Sequence, residues 1–390
     1  MPKNTIIKIF FGEYMEIYVV KPGDTVYAIA SAYQIEVNAL AYANQLEYPY
    51  QLAVGQALLI TNGQREKSME IRSNGYAYPF INGWVLGNTL PFLTELSVFS
   101  YGFTKEGELV PPMIDDIRIV NMALESEVLP ILTLTPFGTS GNFDNNLISA
   151  IVRNTESRNR LLENLVVVMK EKSYGGLDID FEFIKAEDRD LFTEFVRVCT
   201  ERMHMEGYQV SIALAPKISA QQKGILYEGK DYRALGEIAD HVLVMTYEWG
   251  YTYGPPMAVA PINMVRMVLE YAVTEISPEK ISMGIPNYGY DWPLPFQKGQ
   301  TKAKTIGNIE AVQIAVNEGS EIKFDELSKS PYFNYEKNGI LHEVWFEDVR
   351  SLQQKFDLIK EFGLRGPGYW QIMQLFRANW LLLEDNFYIL

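Results

Sequence analysis

The chain has 390 residues, 47% of them hydrophobic and 21% charged, with a single cysteine, Cys199. At roughly 150 residues per domain this gives two or three domains, or one large domain with an appendage. The composition excludes disorder and fibrous repeats, and no apolar run approaches the roughly 20 residues of a membrane span. The 49 acidic residues outnumber the 34 basic ones, for a formal net charge of −15, which disfavours nucleic acid and anionic membranes as partners. No internal disulfide can form, and three scattered histidines, His204, His241 and His342, argue against a zinc cluster. The 24 tyrosines suit a surface that stacks sugar rings, although most aromatics serve as core.

Residues 1–14 carry apolar residues broken by Lys8 and no small-residue cleavage site, so they do not read as a secretory signal. Met15 stands immediately before a well-formed module, and 1–14 reads as an N-terminal extension or an alternative start. The module has a strand over 17–20, a Lys-Pro-Gly-Asp turn and a helix over 25–33. Val26, Ile29, Ala30 and Tyr33 share one helix face, with Asp24 placed to cap the first turn. A second helix over 36–44 and a closing strand over 57–60 complete a βααβ unit.

This unit resembles a LysM domain through Tyr18-Val-Val20, Gly23-Asp-Thr25, Ile29-Ala30, Asn44 and Val54-Gly-Gln56. The resemblance covers residues 15–61 and implies binding to the N-acetylglucosamine of peptidoglycan or chitin. The groove would lie between the first strand-to-helix turn and the second helix-to-strand loop, with Gly23, Asp24, Thr25 and Asn44 as glycan-binding residues. One cation, Lys21, faces Glu16, Asp24, Glu36 and Glu47, which argues against a phosphate ligand. The polar stretch 62–72 lacks an apolar period and reads as a linker.

From about Asn74 onward, short apolar strands alternate with helices, the signature of βα units. Strands are expected over 76–81, 96–101, 130–134, 177–183, 210–215, 241–247, 281–285 and 366–371. Eight is the count that closes a (β/α)8 barrel, an α/β fold spanning 73–390. A doubly wound open sheet is the alternative, but no glycine-rich phosphate fingerprint follows the first strand. Amphipathic helices are expected over 147–172, 188–206 and 262–275. The stretch 293–346 reads as a small α+β insertion after strand seven, with a helix over 309–317 and strands over 332–335 and 340–346. Asn338-Gly339 supplies the hairpin turn between them. The delayed seventh helix follows over 347–361.

The most informative segment is Tyr174-Gly-Gly-Leu-Asp178-Ile-Asp180-Phe-Glu182-Phe-Ile184. On a strand its three acids share one face, about 6 to 7 Å apart, while Ile179, Phe181 and Phe183 take the other. On a barrel strand the acids point inward at the catalytic end. In a closed site they cannot all ionise, so at least one keeps its proton near neutral pH, as a general acid must. An acidic edge or a metal cage are the competing readings. An exposed edge explains the apolar intervening residues poorly, and Ca²⁺ or Mg²⁺ sites recruit loop oxygens.

This strand resembles the signature of glycoside hydrolase family 18, Asp-x-x-Asp-x-Asp-x-Glu, with Gly175 standing where the first acid is usual. The family fold is a TIM barrel, and the missing acid, which sits beneath the next one in the family, implies an altered pH profile. Met245-Thr-Tyr247-Glu248 resembles the family's Met-x-Tyr-Asp, with Glu248 in place of aspartate. Met283-Gly-Ile-Pro-Asn-Tyr288-Gly-Tyr290-Asp-Trp292 resembles the seventh-strand pattern, and Gly368-Tyr-Trp370 ends the eighth strand.

The resemblance implies that the substrate's own 2-acetamido group is the nucleophile. Glu182 protonates the leaving oxygen and later activates water, Asp180 orients the acetamido N–H, Asp178 supports Asp180, and Tyr247 hydrogen-bonds the acetamido oxygen. Trp370 floors the −1 sugar subsite, and Glu248, Tyr288 and Tyr290 are substrate-binding; His342 and Trp345 fit the cleft wall and the core of the insertion's hairpin equally well. No metal or other cofactor is required. A LysM module joined to such a barrel, without a signal peptide, resembles the spore-cortex and germination N-acetylglucosaminidases of endospore-forming bacteria. The expected location is spore cortex, coat or cell wall, and the expected partners are peptidoglycan or chitin-like N-acetylglucosamine glycans. A chitinase of the same mechanism and a non-catalytic glycan-binding coat protein are the alternatives. The oligomeric state and endo versus exo action are open at this level.

Overall fold

The computed structural model of the protein describes residues 15–63, 66–138 and 143–390; the extension expected over 1–14 lies outside the described residues. The first module pairs β1 (Glu16–Val19) antiparallel with β2 (Ala57–Ile60), around α1 (Val26–Tyr33) and α2 (Val37–Ala43). Thr25, not Asp24, caps α1: its hydroxyl accepts from the Ala28 N–H. Asp24 instead closes the preceding turn, accepting from the Tyr18 hydroxyl and the Lys21 N–H, both at 2.7 Å. Val26, Ile29, Leu40, Leu58 and Ile60 form the module's own core.

Eight parallel strands follow in the large domain. The first seven are β3 (Asn74–Ala77), β4 (Glu95–Phe103), β5 (Leu129–Leu134), β6 (Gly176–Ile179), β7 (Gln209–Leu214), β8 (His241–Val244) and β9 (Ile281–Pro286). An insertion contributes β10 (Gly289–Leu294), β11 (Lys304–Ile306), β12 (Lys323–Asp325), β13 (Ser330–Lys337) and β14 (Ile340–Trp345), before the eighth barrel strand, β15 (Gly366–Trp370). Each barrel strand pairs with its neighbours, and β3 bonds both β4 and β15, so the sheet closes into the expected barrel.

The surrounding helices are α3 (Gly83–Thr89), α4 (Ile117–Glu125), α5 (Asn145–Arg153), α6 (Thr155–Lys172), α7 (Arg189–His204), α8 (Tyr232–Ile238) and α9 (Ile262–Glu275). The insertion carries α10 (Asn308–Asn317), and α11 (Val349–Phe362) and α12 (Arg377–Asn386) complete the set. Phe181 packs on Phe103, Phe192 and Phe195, beneath the helical layer.

Several boundaries differ from the sequence-based expectation. The ladder of β6 stops at Ile179 rather than 183, its last bond running from the Asp180 N–H to the Leu134 carbonyl at 2.9 Å. The neighbouring strands give out because Pro136 and Pro216 follow them, and proline has no N–H to continue a ladder. Strand β8 ends at Val244, not 247, where Thr246 and Tyr247 bond back two residues in tight turns. The first barrel strand lies earlier than expected, at 74–77. The helix expected over 147–172 is two helices, broken at Asn154, whose side chain caps α6 by accepting from the Ser157 N–H. The insertion sheet begins at Gly289 rather than 293. Within the stretch expected as linker, Glu70–Ile71 pairs with Tyr388–Ile389, and Ile71 is buried in the main core. The hairpin turn does place Asn338 and Gly339 at positive φ, 53° and 77°.

The small module is seated on the barrel, not tethered to it. Leu58 and Ile60 of β2 face its own core, whereas Leu59, fully buried, joins the barrel's core. Arg377 at the start of α12 donates to the Tyr42 carbonyl at 3.2 Å and lays its guanidinium 3.9 Å from the Tyr42 ring centroid. Its own N–H donates to Gln45 Oε1 at 2.6 Å. Ile322 of the insertion donates to the Val54 carbonyl at 2.8 Å, and Arg350 reaches the Gly55 carbonyl at 3.2 Å.

Candidate active site

The C-terminal ends of the barrel strands surround an open cavity of about 370 Å³, whose lining includes Asp180, Glu182, Tyr247, Glu248, Tyr290 and Trp370. Strand parity places Asp178 and Asp180, and Glu182 follows beyond the last ladder bond. Asp178, at the end of β6, is fully buried beneath the cavity, with Oδ2 accepting from the Tyr76 hydroxyl at 2.9 Å and Oδ1 from the Ser211 hydroxyl at 2.7 Å. Asp180 follows two residues on, 5% exposed, and its Oδ1 has no hydrogen-bond partner among the described residues. Glu182 is half-buried in the cavity wall. Of the apolar residues between them, Ile179 and Phe181 turn under the helices; Phe183 instead packs edge-on against Phe143.

Burial pushes all three carboxyls above their ordinary range. Asp180 is raised furthest in kind: burial acts first, then the charges of Glu182 and Asp178. The Tyr76 and Ser211 hydroxyls oppose the rise at Asp178 by hydrogen-bonding its ionised form. Asp180 and Glu182 therefore titrate as a pair, with each proton belonging to both carboxyls.

Tyr247 is 8% exposed and stands close to β9: a Cβ at position 284 would lie 2.7 Å from its Cε1, so Gly284 leaves the room this ring needs. Glu248 adopts a left-handed backbone, φ 69°. Its carboxylate accepts from the Tyr288 hydroxyl and, at 3.0 Å, from Tyr290. Tyr288 is buried behind Glu248 and does not line the cavity, which corrects its expected place against substrate. Trp370 forms an aromatic floor with Phe99, Tyr76 and Tyr78, at centroid distances of 4.8, 5.7 and 6.2 Å. His342 and Trp345 belong to the insertion sheet, where His342 bonds Asp291 at 2.8 Å and Trp345 stacks on Tyr332 at 4.6 Å.

Sequence reasoning missed Tyr76, Tyr78, Phe99, Ser211 and Lys230. The inward parity of Ser97 and Phe99 on β4 was an available signal. Lys230, in a loop without pattern, gave none. Gly175 does not lie beneath Asp178: a Cβ there would sit 2.1 Å from Leu129 Cδ1, facing away from the acids. A new side chain at 175 meets only the partly exposed Leu129 side chain, so Gly175→Asp is expected to change stability by less than about 1 kcal/mol, with an unchanged pH–rate profile. Thermal unfolding and a pH series check this; a displaced profile would return position 175 to the catalytic network.

On the small module, a groove is lined by Asp24, Thr25, Tyr27, Tyr50 and Gln51, with Val316 of α10 closing one side. Gly23 lies in the turn beside it, at φ 89°. Asn44 is not in this groove. Its amide is spent on the fold, donating to the Leu40 and Leu59 carbonyls and accepting from the Leu59 N–H. Among the described residues, no group of three or more His, Cys, Asp or Glu is arranged to hold a metal ion, and no helix is long and apolar enough to cross a membrane.

A closed parallel barrel carrying a carboxylate series and an aromatic floor at its C-terminal mouth is the architecture of a glycosidase. The chain matches the family model "Glycosyl hydrolases family 18" over residues 136–374 and the LysM domain model over 18–61, and it belongs to glycoside hydrolase family 18. It is 36% identical over 433 aligned positions to the cortical fragment-lytic enzyme of Bacillus subtilis (strain 168), covering 96% of this chain and 98% of that protein. It is also similar to the spore cortex-lytic enzyme SleL of Bacillus megaterium QM B1551, with a TM-score of 0.91, 34% identity and coverage of 97% and 99%. With SleL of Bacillus cereus the TM-score is 0.80 and the identity 38%, over 96% of this chain and 87% of that one.

Proposed function

We propose that this glycoside hydrolase cleaves the β-1,4 bond after N-acetylglucosamine in spore-cortex peptidoglycan or its fragments, with retention of configuration, and is located at the cortex, coat or cell wall. The observation that carries the reading is the convergence of Asp180, Glu182 and Tyr247 on one aromatic-floored cavity. The relatives' names, cortical fragment-lytic and spore cortex-lytic enzyme, support the choice of substrate, and the LysM module supports binding to N-acetylglucosamine glycans.

In this reading the sugar rests on Trp370 with its 2-acetamido group beside Asp180. Asp180 accepts the acetamido N–H and Tyr247 donates to its carbonyl oxygen, which holds that oxygen against C1. As the glycosidic bond breaks, the Glu182 proton passes to the leaving oxygen and the acetamido oxygen bonds to C1, giving an oxazolinium-like intermediate. The Glu182 carboxylate then takes a proton from water, which opens the intermediate and restores the N-acetyl group. The sugar cleaved after must therefore carry an N-acetyl group, which a muramic lactam lacks.

Mass spectrometry of reduced digests is the test. New N-acetylglucosamine reducing ends from cortex fragments support the proposal. Release of chitobiose from chitin with cortex fragments intact would make the chain a chitinase of the same mechanism. Binding without products would make it a lectin.

A further inference from the structure

One fully buried cation faces the three acids. Lys230 lies between β7 and α8, 1% exposed. Its Nζ donates to the carbonyl of Ala213 at 3.0 Å, and Ala213 is itself part of the cavity lining. Among the described residues the ammonium forms no direct ion pair, yet Asp180, Glu182 and Asp178 are the charges that act on it. A second buried lysine provides a contrast. Lys217 donates its Nζ to the Lys230 carbonyl at 3.0 Å, but the charges around it are Arg189, Asp231 and Glu275, outside the site.

We propose that Lys230 is a positioning residue that acts through space, as the cation that sets the proton inventory of Asp180 and Glu182 and hence the pH range of the enzyme. This rests on the glycosidase reading of the cavity. Among the described residues no other cation acts on Asp180 or Glu182. Tyr76 and Tyr247 stay neutral, since burial raises both phenols well above their ordinary range. His241, which acts on Asp178 rather than on Asp180 or Glu182, and Arg365 pair with buried Glu95, at 3.3 and 2.6 Å.

The electrostatic consequence has a definite sign. In a desolvated floor a fixed positive charge favours the ionised carboxyl and lowers both pKa values. It therefore offsets part of the rise that burial imposes on each carboxyl. Burial pushes Lys230 down to about 8, so the cation is present at neutral pH and disappears as pH rises through that value.

The experiment compares pH profiles of kcat/KM on cortex fragments. Lys230→Met and Lys230→Gln are expected to displace both limbs upward by about 1 unit, the low end of the effect of an opposite charge on a nearby carboxyl. Lys217→Met is expected to leave both limbs in place. A lower rate with unmoved limbs in the Lys230 variants would make Lys230 a packing residue and overturn the proposal.

Carboxyl ¹³C titration of Asp180 and Glu182 in the unaltered protein requires neither turnover nor a folded variant. A second inflection at about pH 8, as Lys230 deprotonates, is expected; its absence overturns the role of Lys230. Absence of hydrolysis by the parent enzyme overturns the glycosidase reading instead and leaves this titration decisive for Lys230.

Discussion

Replacing Glu182 by Gln is expected to lower kcat on cortex fragments by about 10²–10⁴-fold, the usual contribution of a positioned general acid, with the protein still folded. The amide keeps the shape of the side chain and cannot supply a proton to the leaving oxygen. Its effect on stability has the opposite direction to its effect on rate. Burial raises the Glu182 pKa in the folded state, so between the unfolded and folded values the native protein binds more protons than the unfolded chain. Stability therefore falls as pH rises through that window, and the penalty persists above it. Removing the carboxyl removes the penalty, so Glu182→Gln should melt no lower than the parent at pH 5 and higher at pH 8. Steady-state kinetics and melting curves at both pH values check the two halves. A variant within tenfold of the parent rate would remove Glu182 from the chemistry.

Asp180→Asn is expected to lower kcat by about 10²–10³-fold, comparable to losing one preorganised polar contact to a developing charge. Positive charge builds on the acetamido-derived ring only as the reaction proceeds, so the loss should fall mainly on kcat, with KM changing little. Asp180 and Glu182 also titrate together, because each carboxyl raises the cost of ionising the other. With one of them an amide, the acid limb that reports Asp180 ionisation should vanish from the pH profile and leave a single basic limb. A profile that keeps both limbs would assign the acid limb to Asp178.

Much of this organisation was legible because it rests on periodicity. The eight strands and the insertion follow from alternation that the folded chain retains, whereas Asp180 and Glu182 come just beyond the strand that Asp178 helps to end. Strand ends were less legible, since they depend on neighbours distant in sequence: β6 stops where Pro136 and Pro216 end the strands beside it. The cap at Thr25 and the break at Asn154 were decided by which of two adjacent polar side chains reaches a free N–H. The run Ala57-Leu-Leu-Ile60 does not alternate, the mark of a strand covered on both faces, but the run alone does not say what covers the second face. Asn44 fits the LysM pattern but spends its amide on the fold, because a sequence motif does not distinguish a residue that shapes a groove from one that touches its contents. Lys230 was invisible because burial of a single loop lysine depends on the whole tertiary arrangement.

The seating of Leu59 in the barrel core, with Arg377 clasping the back of α2, changes what kind of machine this is. An anchor on a flexible tether raises the local concentration of its enzyme over a sphere of positions and is indifferent to orientation. A module that shares a hydrophobic core with the barrel instead fixes the distance and angle between its groove and the cavity that holds Glu182. Under the proposed function, a glycan strand held in the groove would meet the cavity in a single register, so that the spacing of sites along the strand, rather than their density, would select where the bond is cut.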